Sequence, residues 1–465
     1  MAPQFTVPDT ALAGLREDLA GEVLVPGDPG YEEARRIHNG MIDRRPAVVA
    51  QCATQADVAN AVLFGRETGL PIAVRGGGHS VAGSSSVDGG LVIDLRRMHA
   101  VVADPEHMTV RVEGGALMSH LDRATQPFHM ATTGGRVSTT GVGGFTLGGG
   151  SGWLERKFGL ACDNLLSVDL VTAEGKHVVA SDEENPELFW ALHGGGGNFG
   201  VATSLTLRLH ELPAMSFALL LFPPSAGPAV VEAYRAMAET MPDEASGGVL
   251  YFPAPPEPFV PAHLVGELVV AALVTFAGPR SGLRHLAGPL AALRPVVELV
   301  EEIPYADLQC MLDDPPGLRN YWSAEYLGSF PDEAVEVFCA RGERLPEGTA
   351  TQHVLFPLGG AVARGPADWP LPWRTAPWAV HPFATWEDPA ADGRAIQWVH
   401  DVRTDMRPWT TEAVYLNFIG TEGEERVVAG FGAGNYPRLA AVKAAYDPDN
   451  VFRLNHNITP AAAAV

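Results

Sequence analysis

Hydrophobic and polar positions change period several times along this 465-residue chain. Thr54-Gln55-Ala56-Asp57 opens a helical pattern in which Val58, Val62 and Leu63 recur on one face. The pattern leads into an apolar run, Pro71–Val74, that ends at Arg75, and a second short run follows at Leu91–Leu95. Further strand signals come from Thr109–Glu113 and Leu165–Thr172. Asn185-Pro186 has the form of an N-cap and first helical residue, which predicts a helix through Leu192 stopped by Gly194–Gly197. Val201–Leu209 alternates as a half-buried strand does.

After about residue 211 the texture changes. Strand-like runs at Ala218–Phe222, Val249–Phe252, Leu268–Phe276, Val354–Phe356, Val380–Trp386 and Val414–Ile419 alternate with amphipathic helices near 229–241, 331–342 and 395–406. Proline-rich pieces at 253–258 and 369–373 punctuate them as turns. A helix from Pro437 to Tyr446 stops at Asp447-Pro448, and a strand-like tail follows, in which alternation places Asn455 and Asn457 on one face. The expected class is α+β with two domains: 1–210, 211–430 built on an antiparallel sheet covered by helices, and a closing segment 431–465.

Composition narrows the partners. With 46% hydrophobic and 19% charged residues the chain is a folded globule, and no apolar run reaches the length of a membrane span. A net charge of −23 argues against nucleic acid or an anionic membrane surface and is neutral toward a small-molecule substrate. The first residues carry acids and no apolar core, which argues against a secretory leader. Cys52, Cys162, Cys310 and Cys339 lack CxxC spacing, and no histidine has carboxylates at ligand spacing, so no metal site is expected. Cytoplasmic residence with reduced thiols, as monomer or homodimer, is the simplest reading, and the Ala-, Gly-, Pro- and Arg-rich composition suggests a GC-rich bacterial genome.

Two segments carry chemistry. In Pro71–Asp94 an apolar strand drops from Arg75 into Gly76-Gly77-Gly78, followed by His79-Ser80 and a small-residue loop. Three glycines let the backbone approach a ligand closely, and consecutive exposed N–H groups form an anion-binding concavity beside a nucleophilic imidazole. In Gly134–Trp153, seven glycines between Gly141 and Gly152 make a wall whose amides can turn toward a pyrophosphate. Neither loop fits GxGxxG after a strand, which argues against a nicotinamide dinucleotide fold.

Together these segments resemble the covalent-histidine motif of the berberine-bridge-enzyme-like FAD oxidases, in the vanillyl-alcohol-oxidase superfamily with its PCMH-type FAD-binding fold. The resemblance spans Asn39-Gly40 to Ile458 and is weakest in the middle third. It implies FAD bonded through its 8α-methyl group to His79, with the 431–465 segment returning to the FAD-binding domain 1–210. The FAD-contacting residues it implies are Arg75, Gly76, Gly77, Gly78, His79, Ser80, Val137, Ser138, Gly141, Gly144, Gly200, Val201, Asn455 and Asn457. Bicovalent members carry a cysteine at the position of Val137, so a single bond through His79 is expected, with Cys162 left to packing. Asp163 and Asn164 are either turn formers or cofactor contacts.

The base departs from the pattern. Alcohol oxidation moves a hydride to flavin N5 and needs the hydroxyl proton removed. Many alcohol- and sugar-oxidising members use the second tyrosine of a YxNY strand, but here the strand reads Tyr415-Leu416-Asn417-Phe418. Alternation would put Tyr415 on the opposite face from Phe418. The candidate bases are Tyr321, His353, His381 and Tyr436. Three functions stay open: oxidation of an alcohol, hemiacetal or phenol, with a secondary metabolite or a sugar among the substrates and dioxygen as acceptor, a dehydrogenase being the variant with another acceptor; amine oxidation of the hydroxynicotine-oxidase type; and flavin binding without turnover.

Overall fold

The computed structural model describes residues 7–462, so residues 1–6 and 463–465, at the outer ends of the first and last sequence segments, lie outside it. The fold is α+β with two domains. The helix Gln55–Thr68 begins where the Thr54 hydroxyl accepts the Asp57 N–H and ends at Gly69, whose φ of 68° is the left-handed conformation that glycine adopts freely. It connects Val48–Gln51 to Ile72–Arg75, and both strands pair in parallel with Leu91–Asp94. Glu22–Leu24 adds an antiparallel edge to complete four strands. A second sheet, wholly antiparallel, runs in spatial order Val101–Asp104, Thr109–Glu113, Val201–Arg208, Leu165–Val171 and His177–Ser181.

The third sheet has eight strands and supplies the other domain. Its path is Val297–Glu302, Ser216–Phe222, Leu268–Phe276, Ala245–Pro253, Gln352–Pro357, Trp378–Trp386 and Arg319–Trp322, with Glu325–Leu327 also pairing the 378–386 strand. All seven residues of Ser216–Phe222 are buried, because both faces of this sheet are covered. Ala218, Leu220 and Phe222 pack with Val231 and Tyr234 of Gly227–Glu239, Phe338 of Asp332–Gly342 and Val399 of Asp392–Met406. Phe217, Leu219 and Leu221 point the other way, into a cluster with Trp153, Leu154, Leu160 and Tyr415 that joins the two domains.

Three local expectations are corrected. Asn185 does not cap its helix: it has φ 52° and its amide donates to the Val179 carbonyl. The 414–419 run is no strand but a short 3-10 turn at Leu416–Phe418, as Tyr415 is drawn inward to hydrogen-bond the glycine wall. The Asn455–Asn457 tail is also not a strand, since no neighbouring strand offers it a ladder. No helix among the described residues is long and apolar enough to cross a membrane.

Lys443 ties the closing segment down. Its buried ammonium donates to the Asn198 carbonyl at 2.7 Å, the Phe452 carbonyl at 3.0 Å and the Asp447 carboxylate at 2.6 Å. Asp447 in turn accepts the N–H groups of Val451 and Phe452. Breaking a buried pair from one side leaves the other charge unsolvated, at a cost of about 3–5 kcal/mol. Lys443→Met is therefore expected to lower the unfolding free energy by about that amount, read from denaturant titration, and Lys443→Met with Asp447→Asn by less.

Candidate active site

One cavity of about 400 Å³ collects the sequence-identified glycine turns. Gly76, Gly77, Gly78, His79 and Ser80 line one side, Val137, Gly141 and Gly144 another, and Gly200, Val201 and Asn455 a third. The two glycine loops touch backbone to backbone: a Cβ on Gly77 would lie 2.3 Å from the Gly141 nitrogen, and one on Gly141 would lie 2.4 Å from the Gly77 nitrogen. Only glycine permits that approach. Gly144, in contrast, has nothing within 4 Å of its Cβ direction, so its free side is cavity. Gly143 and Gly144 fall in the first turn of the short helix Val142–Leu147, where position alone leaves N–H groups without intrahelical acceptors.

Arg75, Ser138 and Asn457 do not line the cavity. The Arg75 guanidinium turns back to the Ala34 carbonyl at 2.5 Å and packs beneath Gly78, buttressing the turn. Ser138 gives its hydroxyl and N–H to Asp313, at 2.6 and 2.7 Å. Asn457 keeps a buried, unpartnered Oδ1 without reaching the lining, because the tail bends between it and Asn455. Asp163 and Asn164 are turn formers: Asp163 pairs with Arg374 at 2.7 Å, and Asn164 donates to the Phe158 and Leu160 carbonyls. Cys162 is fully buried and outside the lining.

His79 is half-buried at the cavity wall. Its Nε2 lies 2.9 Å from the Thr139 hydroxyl, and its ring stacks on His38 with centroids 3.9 Å apart and planes 18° from parallel. Burial, and secondarily the His38 ring, push its pKa down to about 3, so the imidazole is neutral and nucleophilic near neutrality.

Three of the four candidate bases lie on strands and separate by alternation, and the fourth, Tyr436, opens the helix Tyr436–Tyr446. On Trp378–Trp386, Trp378, Val380, Ala384 and Trp386 join the helix-covered core, which turns His381 and Phe383 to the cavity. His381 donates through Nδ1 to the Ser323 carbonyl at 2.8 Å and stacks on Phe418 with centroids 4.4 Å apart. That bond leaves Nε2 as an acceptor, and burial holds the pKa down at about 4. His353 pairs with Pro382 and so faces the opposite way, stacked on Phe338 under the helices. Tyr321 packs toward His400 while its neighbour Trp322 faces the cavity. The Tyr436 hydroxyl only accepts the Thr459 N–H. Of the four, His381 alone lines the cavity.

Tyr415 and Phe418 lie on the same side, ring centroids 4.8 Å apart, contrary to the alternation expected of a strand. The Tyr415 hydroxyl accepts from the Gly150 N–H at 2.9 Å, the Ser151 N–H at 3.3 Å and the Asn417 amide at 2.9 Å, and burial pushes its pKa up. It is a clamp on the glycine wall. Several lining residues escaped the sequence reading: Arg136, Trp153, Gln352 and Phe383. Arg136 lies 4.4 Å from the Phe356 ring centroid and 5.1 Å from that of Trp153, and pairs with buried Glu155 at 3.0 Å. Arg136 and Trp153 stand within the Gly134–Trp153 segment without being singled out, whereas Gln352 and Phe383 lie outside both segments and only the chain's folding brings them in.

The arrangement fits FAD. Glycine backbones line a long concavity, and Asn455 Oδ1 and Trp153 Nε1 belong to lining residues and are buried with no protein partner, as polar contacts of a bound molecule would be. Residues 46–181 match the family model for an FAD binding domain, and residues 414–459 match that of berberine and berberine-like proteins. The (R)-6-hydroxynicotine oxidase of Paenarthrobacter nicotinovorans is 31% identical over 95% of this chain and 97% of its own length. The solved 6-hydroxy-D-nicotine oxidase of Arthrobacter nicotinovorans superposes with a TM-score of 0.83 at 28% identity, covering 95% of this chain and 98% of that one. The BBE-like 1 protein of Physcomitrella patens shares the fold, with a TM-score of 0.86 at 22% identity over 99% of this chain and 100% of that one.

Two outcomes are expected. Tyr415→Phe leaves the Gly150 and Ser151 amides without an acceptor and should cost about 1–3 kcal/mol of stability, read as a lower thermal midpoint. Stability should also fall in mild acid. Burial depresses His353, His381, His193 and His210 to about 3, 4, 4 and 4, below the unfolded value of about 6.5. As pH falls from about 6.5 the unfolded chain takes up protons that the folded one refuses, so stability drops in that window. Asp122, raised to about 7 by burial, opposes this as a single group. Thermal midpoints that do not fall between about pH 7 and about pH 5 would contradict the assignment.

Proposed function

The chain belongs to the berberine-bridge-enzyme-like family of FAD-linked oxidoreductases, and we propose that it oxidises a small, largely apolar organic molecule on an FAD held covalently by His79 alone. Bound FAD supplies the acceptor for a hydride; the residues supply tether, cradle, substrate surface and base. Gly76–Ser80, Gly141–Gly144 and the Gly194–Gly197 turn form the cradle, with Asn455 at its edge. Val137, at the second tether position of bicovalent relatives, offers no nucleophile.

The observation that carries the reading is the position of His381. It lines the same cavity as His79, has its Nδ1–H committed to Ser323, and stacks on the phenylalanine that replaces the usual tyrosine. A neutral Nε2 so placed can take the proton of an alcohol or phenol. Trp322, Phe356, Phe383 and Phe418 give the substrate end an aromatic surface, with Gln352 and the unpartnered Trp322 N–H for a substrate oxygen. Such a lining favours an aromatic alcohol or phenol over a free sugar. Dioxygen as final acceptor gives hydrogen peroxide. A second reading, amine oxidation, is favoured by the 31% identity to (R)-6-hydroxynicotine oxidase.

His79→Ala should abolish flavin that survives denaturation. His381→Gln should lower kcat/KM by about 10²–10⁴-fold on an alcohol or phenol. With His381 as base, activity holds as pH falls until about 4 and is lost below, where the imidazole is protonated. A limb that follows the substrate amine's own pKa, with little effect of His381→Gln, selects the amine reading. Peroxide release in air tests the acceptor.

A further inference from the structure

His79 is held by two groups, and both are held by one loop of the other domain. Thr139 faces its Nε2, and His38 stacks on its ring. Asp313 fixes Ser138, the neighbour of Thr139, through both the backbone N–H and the hydroxyl. Asp314 places a carboxylate oxygen 3.4 Å from the buried His38 Nε2, and that oxygen has no hydrogen-bond partner of its own. Adjacent acids thus reach the two supports of one imidazole.

The same loop is sewn to the His38 segment by backbone. The His38 carbonyl accepts the Gly317 N–H at 3.0 Å, and the Gly40 N–H donates to the Leu318 carbonyl at 2.8 Å. The Asn39 side chain makes both bonds of a peptide partner, donating to the Asn320 carbonyl at 2.9 Å and accepting its N–H at 3.2 Å. A Cβ on Gly40 would lie 2.1 Å from the Gly317 carbonyl oxygen, so the two strands of chain cannot be packed more tightly. His38 closes the circuit by donating its N–H to the Gly78 carbonyl at 3.2 Å, inside the turn that carries His79.

We propose that His38, Asp313 and Asp314 are positioning residues for covalent attachment at His79, so that the tether forms only once the substrate domain has docked. The inference rests on His79 being the tether. With Nε2 engaged by Thr139 and one ring face covered by His38, Nδ1 is the ring nitrogen left to react. The Nε2–H donates to the Thr139 oxygen before attachment, and the Thr139 hydroxyl can donate to Nε2 afterwards. In the net step an imidazole N–H and a C8α–H are lost, an N–C8α bond forms, and the two electrons and two hydrogens leave on dioxygen as hydrogen peroxide. His38 stacks on the ring that reacts, and the two acids hold His38 and Ser138, so that together they fix that ring. Losing that orientation is expected to slow attachment by about 10²-fold, while leaving FAD able to bind without a bond.

The experiment adds FAD in air to each full-length protein freshly expressed under flavin limitation. It follows the flavin absorbance that stays with protein after acid precipitation, beside total bound flavin and the thermal midpoint. Wild type should retain flavin, and His79→Ala should bind it but release all of it. His38→Ala and the Asp313→Ala/Asp314→Ala pair should retain it about 10²-fold more slowly. His38→Phe, which keeps a ring against His79, should restore most of the rate even where its midpoint matches that of His38→Ala. Rates equal to wild type in both His38→Ala and the double variant overturn the positioning role and leave the tether standing. Release of flavin from the wild-type protein overturns the tether and this inference with it.

Discussion

Two backbones meet at Gly77 and Gly141 so closely that no Cβ fits between them, and the remainder of the site is arranged around that contact. It brings the turn after a parallel strand against the turn before the Val142–Leu147 helix. With the two turns pressed together, His79 meets Thr139 and the remaining faces of the loops become one concave wall. The contact makes no hydrogen bond of its own. It is held from outside by the Arg75 buttress, the Tyr415 hydroxyl on the Gly150 and Ser151 amides, and the 313–320 loop on His38 and Ser138. Arg75 is a near neighbour of the glycines it steadies, whereas Tyr415 and the 313–320 loop come from parts of the chain far from theirs.

The eight-stranded sheet solves a separate problem. A sheet with one helix-covered face normally turns the other to solvent, yet here the second face is equally apolar and seals onto the FAD-binding domain. Strict alternation then decides chemistry. His353 and His381 lie on paired neighbouring strands, and a difference of one position in register sends one under Phe338 and the other over the cavity. Both are depressed by burial, and only the second can meet a substrate. A perturbed pKa marks burial first and function only where geometry agrees.

Much of this architecture was legible in the residues. The glycine turns, the strand and helix pattern beyond residue 211, and the place of His79 beside the first turn follow from local rules, because a glycine demanded by a close approach or an apolar period of two leaves its mark within a few positions. Where reading failed, a distant partner had overruled the local signal. The Tyr415–Phe418 run alternates as a strand should, but the pull of the glycine-wall amides on Tyr415 bends it into a turn that places both rings on one side. Arg75 and Ser138 stand in the motif and still face away, toward Ala34 and Asp313.

By itself, then, the sequence determined the family and marked the glycine turns and His79 that the cavity gathers, since those depend on residue types at short spacing along one stretch of chain. Tertiary structure alone decided which of four candidate bases faces the cavity and which side chains line its substrate end. It also decided that the loop carrying Asp313 and Asp314 stands behind His79. The physical reason is that orientation in a sheet depends on which face is covered, and contact across a domain seam depends on packing between segments nearly three hundred residues apart, as Asn39 and Asn320 are. Neither quantity is written in any local pattern.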